Sequence, residues 1–368
     1  MSRVSNKVLS FALILVLLTS SFVIPAAAQG TQATPSGTAK IVILHTNDFH
    51  GNLEPAGSNP GMARAAKVIN DVRAAEGAAN VALLDAGDEM QGTLLSNLFK
   101  GESTIDVFNA LGYQAATFGN HEFDWGKPTL IARTQQAQFP YVTANIVVND
   151  TGNCATAGWT APTFAQPWTM LTVGAAGNEV KVGVIGVMTP ETPIITLASA
   201  TEGLCFKDAA DSIAHHYDAM KAAGAEVIVV LSHLGFDDGG YGYCIPTYGD
   251  KTLAAKLNTA GKSANLIIGG HSHTDVSAAT VVGATTVAQA HYAGRKVGRA
   301  DVTVDKTTGA VTIAWQRLVV STTGAEDPDI KARVATWANN TWYQNEISRV
   351  VGYTAVSIAR NYNGDSLM

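Results

Sequence analysis

Short runs of apolar, β-branched residues end in clusters of metal-binding side chains, and this pattern constrains the fold more than any other feature. Each run has the length and composition of a buried strand, so each cluster should lie where a strand ends and a loop begins. In open α/β sheets, ligands bind outside the carboxyl ends of the strands. We therefore expect the clusters to converge on one small volume. They are Asp48-Phe49-His50, Gly87-Asp88, Gly119-Asn120-His121-Glu122, Ser232-His233 and Gly270-His271-Ser272-His273.

Predicted strands and helices alternate along most of the chain, which indicates an α/β layered domain. Near the end of this region the pattern changes, and segments 300–304 and 310–320 predict a β-hairpin. Two further strand-like pieces lie near 171–173 and 285–288. The alternating strands are expected at about 40–46, 81–85, 115–118, 181–188, 227–231 and 265–268, and the helices at about 62–75, 103–111 and 207–223.

The first 28 residues have the pattern of a secretory signal peptide. Arg3 and Lys7 precede an almost wholly apolar stretch, 8–24, and three alanines, 26–28, supply a cleavage signal. A single membrane anchor is the alternative, but polar residues and Pro25 interrupt the stretch, which favours cleavage. Residues 29–39 predict a flexible polar linker. Because no later stretch reaches the roughly 18 apolar residues of a spanning helix, we expect an exported protein that is secreted, periplasmic or on the cell surface, without a stable membrane span.

Composition narrows the classes of partner. The formal net charge of −6 argues against binding a nucleic-acid polymer, which requires a clustered basic surface. A content of 46% hydrophobic and 15% charged residues predicts a large folded core. Three cysteines, Cys154, Cys205 and Cys244, predict one disulfide after export with one thiol left over, and the sequence leaves the pairing open.

The residue types in the clusters point to a centre with two divalent metal ions. Asp88 is suited to bridge them, because a carboxylate can give one oxygen to each ion. Asp48 and His50 can grip one metal, while Asn120 offers an amide oxygen to the other. The imidazoles of His233, His271 and His273 can complete the two ligand sets. Mixed nitrogen and oxygen ligands without thiolate favour zinc, manganese or iron, and two such ions acidify water into a nucleophile.

His121 directly follows the proposed Asn120 ligand and has no obvious metal of its own. It can donate a hydrogen bond or proton to a substrate phosphate, and Asp124 can orient its ring and keep it protonated. Glu122 is expected to support the turn without binding metal. His45 has two open interpretations, an indirect role beside the metal ligands or none. His215, His216 and His291 are expected to be packed or surface residues.

The ordered motifs Asp-x-His, Gly-Asp, Gly-Asn-His-(Asp/Glu) and Gly-His-x-His resemble the signature of the calcineurin-like metallophosphoesterases. More narrowly, HTNDFHG at 45–51, GNHEFD at 119–124 and GGHSHT at 269–274 resemble the secreted bacterial 5′-nucleotidases. That group includes UDP-sugar hydrolases and 2′,3′-cyclic-nucleotide phosphodiesterases. The resemblance covers about 40–325 and implies a catalytic domain folded as a four-layer α/β/β/α sandwich.

The resemblance also implies ligand sets and roles. Asp88 would belong to both metals, and His121 with Asp124 would form the catalytic pair. The implied sets are Asp48, His50, Asp88 and His273 around one metal, and Asp88, Asn120, His233 and His271 around the other.

Relatives of this type carry a second, nucleotide-binding domain after a linker helix. A predicted helix at 328–347, within a linker of 326–350, matches that position, and its Trp337, Trp342 and Tyr343 are expected to pack on the domain. Residues 351–368 resemble the start of the second domain, so we expect a fragment of a longer protein. The length of the parent reading frame tests this, and a natural stop after Met368 would contradict it.

The predicted function is an exported phosphohydrolase that releases phosphate from nucleotides, most simply a 5′-nucleotidase. Cyclic-nucleotide phosphodiesterase and UDP-sugar hydrolase activities remain open. A different enzymatic alternative is a thiohydrolase of the thiosulfate-oxidation type, and a non-enzymatic one is an exported metal-binding protein. The expected partner is a nucleotide and the expected state a monomer, while the native metal and the base or sugar preference are undetermined by sequence.

Overall fold

A computed structural model of the protein describes residues 37–239 and 248–353. The predicted signal peptide, most of the predicted linker, Cys244 and residues 354–368 therefore lie outside the described residues.

The described strands follow the apolar runs closely, because a buried strand between two covering layers needs side chains of this kind on both faces. The predicted 81–85 strand has its predicted bounds, and the first strand begins two residues earlier than expected, at Thr38. The strands are β1 Thr38–Thr46, β2 Val81–Asp85, β3 Ala115–Ala116, β4 Ile146–Val148, β5 Trp168–Val173, β6 Val180–Met188, β7 Leu204–Phe206, β8 Val227–His233, β9 Leu266–Gly269, β10 Thr280–Val282, β11 Thr285–Gln289, β12 Lys296–Asp305 and β13 Val311–Val319.

The three helices predicted between strands are present, each with bounds within two residues of the expectation. Several further helices had no predicted counterpart, among them those at positions 127–136 and 250–259. The helices are α1 Met62–Glu76, α2 Leu94–Leu98, α3 Glu102–Leu111, α4 Lys127–Gln136, α5 Thr192–Ile195, α6 Ala198–Thr201, α7 Ala209–Ala222, α8 Asp250–Thr259, α9 Pro328–Ala338 and α10 Thr341–Ser348.

Two mixed sheets carry the fold, with strand orders β13-β12-β1-β2-β3 and β10-β11-β9-β8-β6-β5. In the first, β1, β2 and β3 are parallel, and the predicted hairpin of β12 and β13 extends the sheet through an antiparallel pairing with β1. In the second, β6, β8, β9 and β11 are parallel. The register aligns the carboxyl ends of neighbouring parallel strands, as Thr46 pairs with Asp85 and Ser232 with Gly269. The loops that carry the clusters therefore leave each sheet on the same side, at the carboxyl ends of its parallel strands.

The two sheets pack face to face, and helices cover their outer faces. On β1, Ile41 and Ile43 belong to the core between the sheets, while Val42 and Leu44 belong to the core under α1 and α3. A third core lies between the second sheet and helices α7 and α8. Full burial of an aliphatic side chain contributes about 1.5–3 kcal/mol, so these three cores supply most of the folding energy. The predicted four-layer α/β/β/α sandwich is confirmed.

The single helix predicted at 328–347 is wrong, because the chain forms two helices, α9 and α10, over this region. The Asn340 side chain accepts hydrogen bonds from the backbone N–H groups of Trp342 and Tyr343, which caps a new helix and ends the old one. The expected packing is present for Trp337, Trp342 and Tyr343, whose ring centroids lie 4.8, 5.3 and 5.9 Å from that of Phe99, although Trp342 is 49% exposed.

Cys154 and Cys205 form a disulfide, in agreement with the prediction of one bridge. It ties the loop after β4 to β7, the strand that pairs antiparallel with β4. In the part of the chain that the structure describes, no helix is long and apolar enough to cross a membrane.

Candidate metal centre

The loops that follow the strands turn sharply at the metal-binding residues themselves. Backbone φ is positive at Asp48 (49°), His50 (51°), Asp88 (57°), His271 (74°) and His273 (52°). Non-glycine residues adopt this left-handed conformation infrequently, and each such residue costs about 1–3 kcal/mol when it is held there. Five of them in one place indicate that the surrounding structure holds these side chains in a defined geometry.

The predicted ligand side chains form two groups. In the first, potential ligand atoms of Asp48, His50 and His273 all lie within 4.8 Å of one another. The Nε2 atoms of His50 and His273 are 2.9 Å apart, and His273 Nε2 lies 3.5 Å from Asp48 Oδ1. The second group consists of Asp88, His233 and His271, whose potential ligand atoms also lie within 4.8 Å of one another. Each group thus combines one carboxylate with two imidazoles.

Asp88 lies where the two groups meet. Its Oδ2 atom is 3.1 Å from His233 Nε2 and 3.9 Å from His50 Nε2, one histidine from each group. Its other oxygen, Oδ1, accepts a hydrogen bond of 2.9 Å from the backbone N–H of His121. A carboxylate held by one oxygen, with the other directed between two histidine-containing groups, has the geometry of a bridging ligand.

Hydrogen bonds fix the tautomers of two histidines. His50 Nδ1 lies 2.9 Å from the Gln91 carbonyl oxygen, and His233 Nδ1 lies 2.7 Å from the Ala86 carbonyl oxygen. A carbonyl oxygen only accepts, so each Nδ1 must donate, and each Nε2 is left to bind a metal ion.

Asn120 lines the same cavity as members of both groups and offers a candidate oxygen ligand. Its side-chain oxygen is buried and has no hydrogen-bond partner among the described residues, which is costly for an amide unless a cation binds there. The whole donor set of imidazole nitrogen, carboxylate and amide oxygen, without thiolate, suits zinc, manganese or iron. The residues present therefore fit a centre of two divalent metal ions.

Burial and neighbouring charges set the protonation states. Burial lowers the pKa of His271 to about 3 and that of His273 to about 4, so both imidazoles are neutral and able to bind cations. Burial alone would raise the pKa of Asp88, but the charge of the adjacent His233 imidazolium outweighs it and holds that pKa well below its usual range. The charge of Asp88 in turn outweighs the burial of His233 and raises its pKa to about 10, so a metal ion would bind Nε2 by displacing a proton. Asp88 is therefore ionised, as a bridging ligand must be.

Glu122 and Gly119 shape the turn beneath Asp88. The buried Glu122 carboxylate accepts hydrogen bonds from the backbone N–H groups of Asp88 (2.9 Å) and Gly119 (2.7 Å), which joins two of the ligand loops. A β-carbon at Gly119 would lie 2.0 Å from Asp88 Oδ1, so only glycine fits there. Glu122 thus supports the turn, as expected.

His121 and Asp124 form a pair at the edge of the two groups. The His121 Nδ1 atom lies 2.7 Å from Asp124 Oδ2, and its ring is 5.4 Å from that of His50. Burial lowers the pKa of His121, but the hydrogen bond to Asp124 and the charge of Asp88 outweigh it and raise the pKa to about 9. The imidazole is therefore protonated at neutral pH and can donate from Nε2.

These side chains open onto one cavity of about 270 Å³. His121 faces it beside the ligands, and Ile195 from α5 is its apolar wall. Sequence reasoning did not select Ile195. The lining residues are His50, Asp88, Asn120, His121, Ile195, His271 and His273.

Gln289 is a positioning residue that sequence reasoning also missed. It is fully buried at the end of β11, where its Nε2 donates to the Gly270 carbonyl and its Oε1 accepts from Ser272 Oγ and the Thr274 N–H. These bonds hold the loop that carries His271 and His273. A glutamine at a strand end gives no local sequence signal of such a role.

His45 lies in the core between the sheets and packs against Trp315. The indole Nε1 donates a hydrogen bond of 3.0 Å to His45 Nε2, and no hydrogen bond among the described residues joins this ring to a ligand loop. The contacts favour the structural interpretation of His45. Burial lowers its pKa to about 3, so the ring is neutral in the folded state.

We predict that His45 makes the fold sensitive to acid. In the unfolded chain its pKa is about 6.5, so as the pH falls from 6.5 towards 3 the unfolded state binds the proton first. The free energy of unfolding therefore falls by on the order of 4 kcal/mol at pH 3, and this decrease is absent above pH 6.5. Urea unfolding of metal-free protein at pH 7 and 4.5 should show a smaller loss for His45→Gln than for the wild type. Equal losses would contradict the prediction.

The other solitary histidines are packed at the surface. His215 stacks on Trp159 with ring centroids 4.4 Å apart, and His216 lies edge-on to the same ring. The backbone carbonyl of His291 accepts a hydrogen bond from Asn47, beside the ligand Asp48. None of the three belongs to a candidate metal group among the described residues.

Known proteins share this sequence pattern and fold. The sequence model of the calcineurin-like phosphoesterase family matches residues 41–275. The 5′-nucleotidase of Bos taurus is 31% identical over 328 residues, which cover 81% of this chain and 52% of that protein. The snake venom 5′-nucleotidase of Naja atra is 30% identical over 349 residues, 87% of this chain and 60% of that protein. The chain thus spans about half the length of these curated relatives.

Solved structures give the same picture. The 5′-nucleotidase precursor of Thermus thermophilus is 28% identical, with a TM-score of 0.66 over 82% of this chain and 59% of that one. The calcineurin-like phosphoesterase YfkN of Bacillus subtilis has a TM-score of 0.68 over 84% of this chain and all of that chain. Its identity of 24% supports likeness of fold alone.

Proposed function

Because this chain belongs to the calcineurin-like phosphoesterase family, we propose that it is a two-metal phosphohydrolase that releases phosphate from nucleotides, with nucleoside 5′-monophosphates as the preferred substrates. The observation that carries the proposal is the position of Asp88 Oδ2 between the two histidine-containing groups. When bound, two divalent cations supply an acidified nucleophile and neutralise the charge on the phosphoryl oxygens.

The protein's own side chains have distinct roles in this proposal. Asp88 would hold both metal ions, and six further residues would complete the two sets. His121 donates from Nε2 to a phosphoryl or leaving-group oxygen, while Asp124 fixes its ring through Nδ1. The ligands proposed for one metal are Asp48, His50, Asp88 and His273, and those for the other are Asp88, Asn120, His233 and His271.

The choice of nucleotides rests on the relatives, two of which are named 5′-nucleotidases and are at least 30% identical to this chain. The sulfate thiohydrolase SoxB of Thermus thermophilus is 18% identical and matches in fold, so the sulfur-compound alternative has less support. A non-catalytic metal-binding protein is disfavoured, because His121 and Asp124 are joined by a hydrogen bond although neither belongs to a candidate metal group.

A substrate panel tests the proposal. The purified chain with Mn²⁺ or Zn²⁺ is expected to hydrolyse AMP to adenosine and phosphate faster than it opens 2′,3′-cyclic AMP to a nucleoside monophosphate or splits UDP-glucose into UMP and glucose 1-phosphate. It should release no sulfate from sulfur-linked substrates. p-Nitrophenyl phosphate serves as the minimal ester, since its hydrolysis needs little beyond the metal centre. If no phosphate ester is hydrolysed with any divalent metal, the proposed function is wrong.

We further propose that the protein is exported as a monomer after removal of residues 1–28. The disulfide between Cys154 and Cys205 supports an oxidising compartment. Amino-terminal sequencing of protein recovered from the native host tests this, and a chain that still begins at Met1 would contradict it.

A further inference from the structure

Tyr292, outside both ligand groups, lies flat against the metal-binding ring of His273. Their ring centroids are 4.8 Å apart and their planes differ by 18°. On Tyr292 itself, the guanidinium carbon of Arg295 lies 4.2 Å from the ring centroid. The three groups therefore form a chain of stacked contacts, from a candidate metal ligand through Tyr292 to Arg295.

Within the described ranges, His273 lacks the kind of hydrogen bond that orients His50 and His233. His50 and His233 each donate Nδ1–H to a backbone carbonyl, the usual way in which a metal-binding imidazole is oriented. The His273 side chain is 35% exposed, and no hydrogen bond to its Nδ1 is present among the described residues. The face of Tyr292 is thus the contact that orients this ring from outside the two ligand groups, beside its edge-on contact with the His50 ring at 5.0 Å.

Arg295 connects the stack to the loop that carries His50. Its Nε donates to Asn59 Oδ1 at 2.8 Å, and the Asn59 amide donates to Asn52 Oδ1 at 2.6 Å. Asn52 in turn donates to the backbone carbonyls of Phe49 (2.7 Å) and His50 (3.3 Å). Two ligand loops, far apart in sequence, are thereby linked through one arginine.

The same segment also contacts the third member of this group. The backbone N–H of Ala293 donates to the Asp48 carbonyl at 2.8 Å. Each ligand of the Asp48, His50 and His273 group therefore has a link to segment 292–295. The contacts described for this segment include none to the second group of Asp88, His233 and His271.

From these contacts we infer that Tyr292 and Arg295 are positioning residues for one metal site, that of Asp48, His50 and His273, and not for the other. The inference rests on the proposed function only in requiring that the centre binds two metal ions. Loss of a residue that orients a metal ligand typically weakens metal binding about 10–100-fold. Removing the Tyr292 ring should therefore weaken one of two binding events by that factor.

Calorimetric titration of the metal-free chain with Mn²⁺ tests the inference. The wild type should show two binding events. Tyr292→Leu should weaken one of them about 10–100-fold and leave the other within about threefold. Tyr292→Phe, which keeps the ring, should behave as the wild type. Unchanged affinities in Tyr292→Leu, equal weakening of both events, or an equal defect in Tyr292→Phe would each overturn the inference.

Two further variants guard against an effect on folding. Arg295→Ala keeps the tyrosine but removes its anchor, and it should weaken the same binding event as Tyr292→Leu. The matched control is Tyr217→Leu, because Tyr217 is also partly buried and has a cation, Lys262, 5.3 Å above its ring, but lies on α7. That control should bind both ions as the wild type does. Weakening of one event by Tyr217→Leu to the same extent would overturn the inference.

The titration and the hydrolysis assay separate this inference from the proposed function. If Tyr292→Leu loses one binding event selectively while the wild type hydrolyses no phosphate ester, the inference holds and the proposed function fails. If the wild type releases phosphate and Tyr292→Leu binds both ions normally, the proposed function holds and the inference about Tyr292 fails.

Discussion

Replacing Asp88 with asparagine is expected to reduce hydrolysis of p-nitrophenyl phosphate about 10³-fold or more. The metal ions that Asp88 would hold supply several kcal/mol of transition-state stabilisation, and each 1.36 kcal/mol corresponds to about a tenfold change in rate. Asparagine can keep Oδ1 as the acceptor for the His121 N–H, so the turn survives. Its amide nitrogen would then stand in place of Oδ2, where it cannot bind a cation. Metal content should fall together with the rate.

Asp85→Asn is the matched control for this variant. Asp85 is equally buried and lies three residues before Asp88, but its oxygens accept hydrogen bonds from Thr46 Oγ1 and the Gly87 N–H. Burial raises the pKa of Asp85 well above its usual range, because it disfavours the charged form, and the neutral asparagine has the same shape. Asp85→Asn should keep two metal ions and a rate within about tenfold of the wild type. If the rate of Asp88→Asn is similar to that of Asp85→Asn, the bridging role of Asp88 is contradicted.

Replacing His121 with alanine is expected to lower the rate about 10²–10⁴-fold, the usual contribution of a positioned acid or base. The loss should appear in kcat, because His121 acts on charge that develops during the reaction. Unlike Asp88→Asn, this variant should retain two metal ions, since His121 belongs to neither candidate metal group. His216→Ala, a surface histidine beside Trp159, is the control and should be unaffected. A His121→Ala rate within about threefold of the wild type would exclude the proposed role.

The pH profile gives a second measurement on the same residue. His121 donates only when protonated, so activity should persist up to its raised pKa, about 9 in the metal-free chain, and fall at higher pH. Bound cations repel the imidazolium, which moves the alkaline limb of the pH profile, where activity falls, to lower pH in the loaded enzyme. Asp124→Asn removes a charge and should move the limb lower still. A limb at the same pH in both proteins would show that Asp124 does not hold the proton on His121.

The layered fold and the convergence of the clusters could be predicted because both depend on local signals. β-Branched apolar runs identify buried strands, and parallel strands align their carboxyl ends. The side chains from Asp48 to His273 therefore come together although they span more than two hundred residues. The break between α9 and α10 could not be predicted, because consecutive asparagines within a helical pattern end the helix only when one of them caps the helix that follows.

The supporting contacts around the centre could not be predicted from the sequence. Gln289 contacts the loop after β9, and Arg295 reaches Asn59 from more than two hundred residues away. Trp315, which donates to His45, lies on a strand that does not pair with the strand of His45. Each of these is a side-chain contact set by the packing of whole sheets, so no spacing or periodicity in the chain signals it.

We propose that the strand-end clusters build one hydrolytic centre that works with two metal ions. The most direct test is to titrate the metal-free chain with Mn²⁺ while following p-nitrophenyl phosphate hydrolysis. Activity should rise as the second ion binds and saturate at two ions per chain. Full activity in the metal-free protein, or with one ion bound, would contradict it.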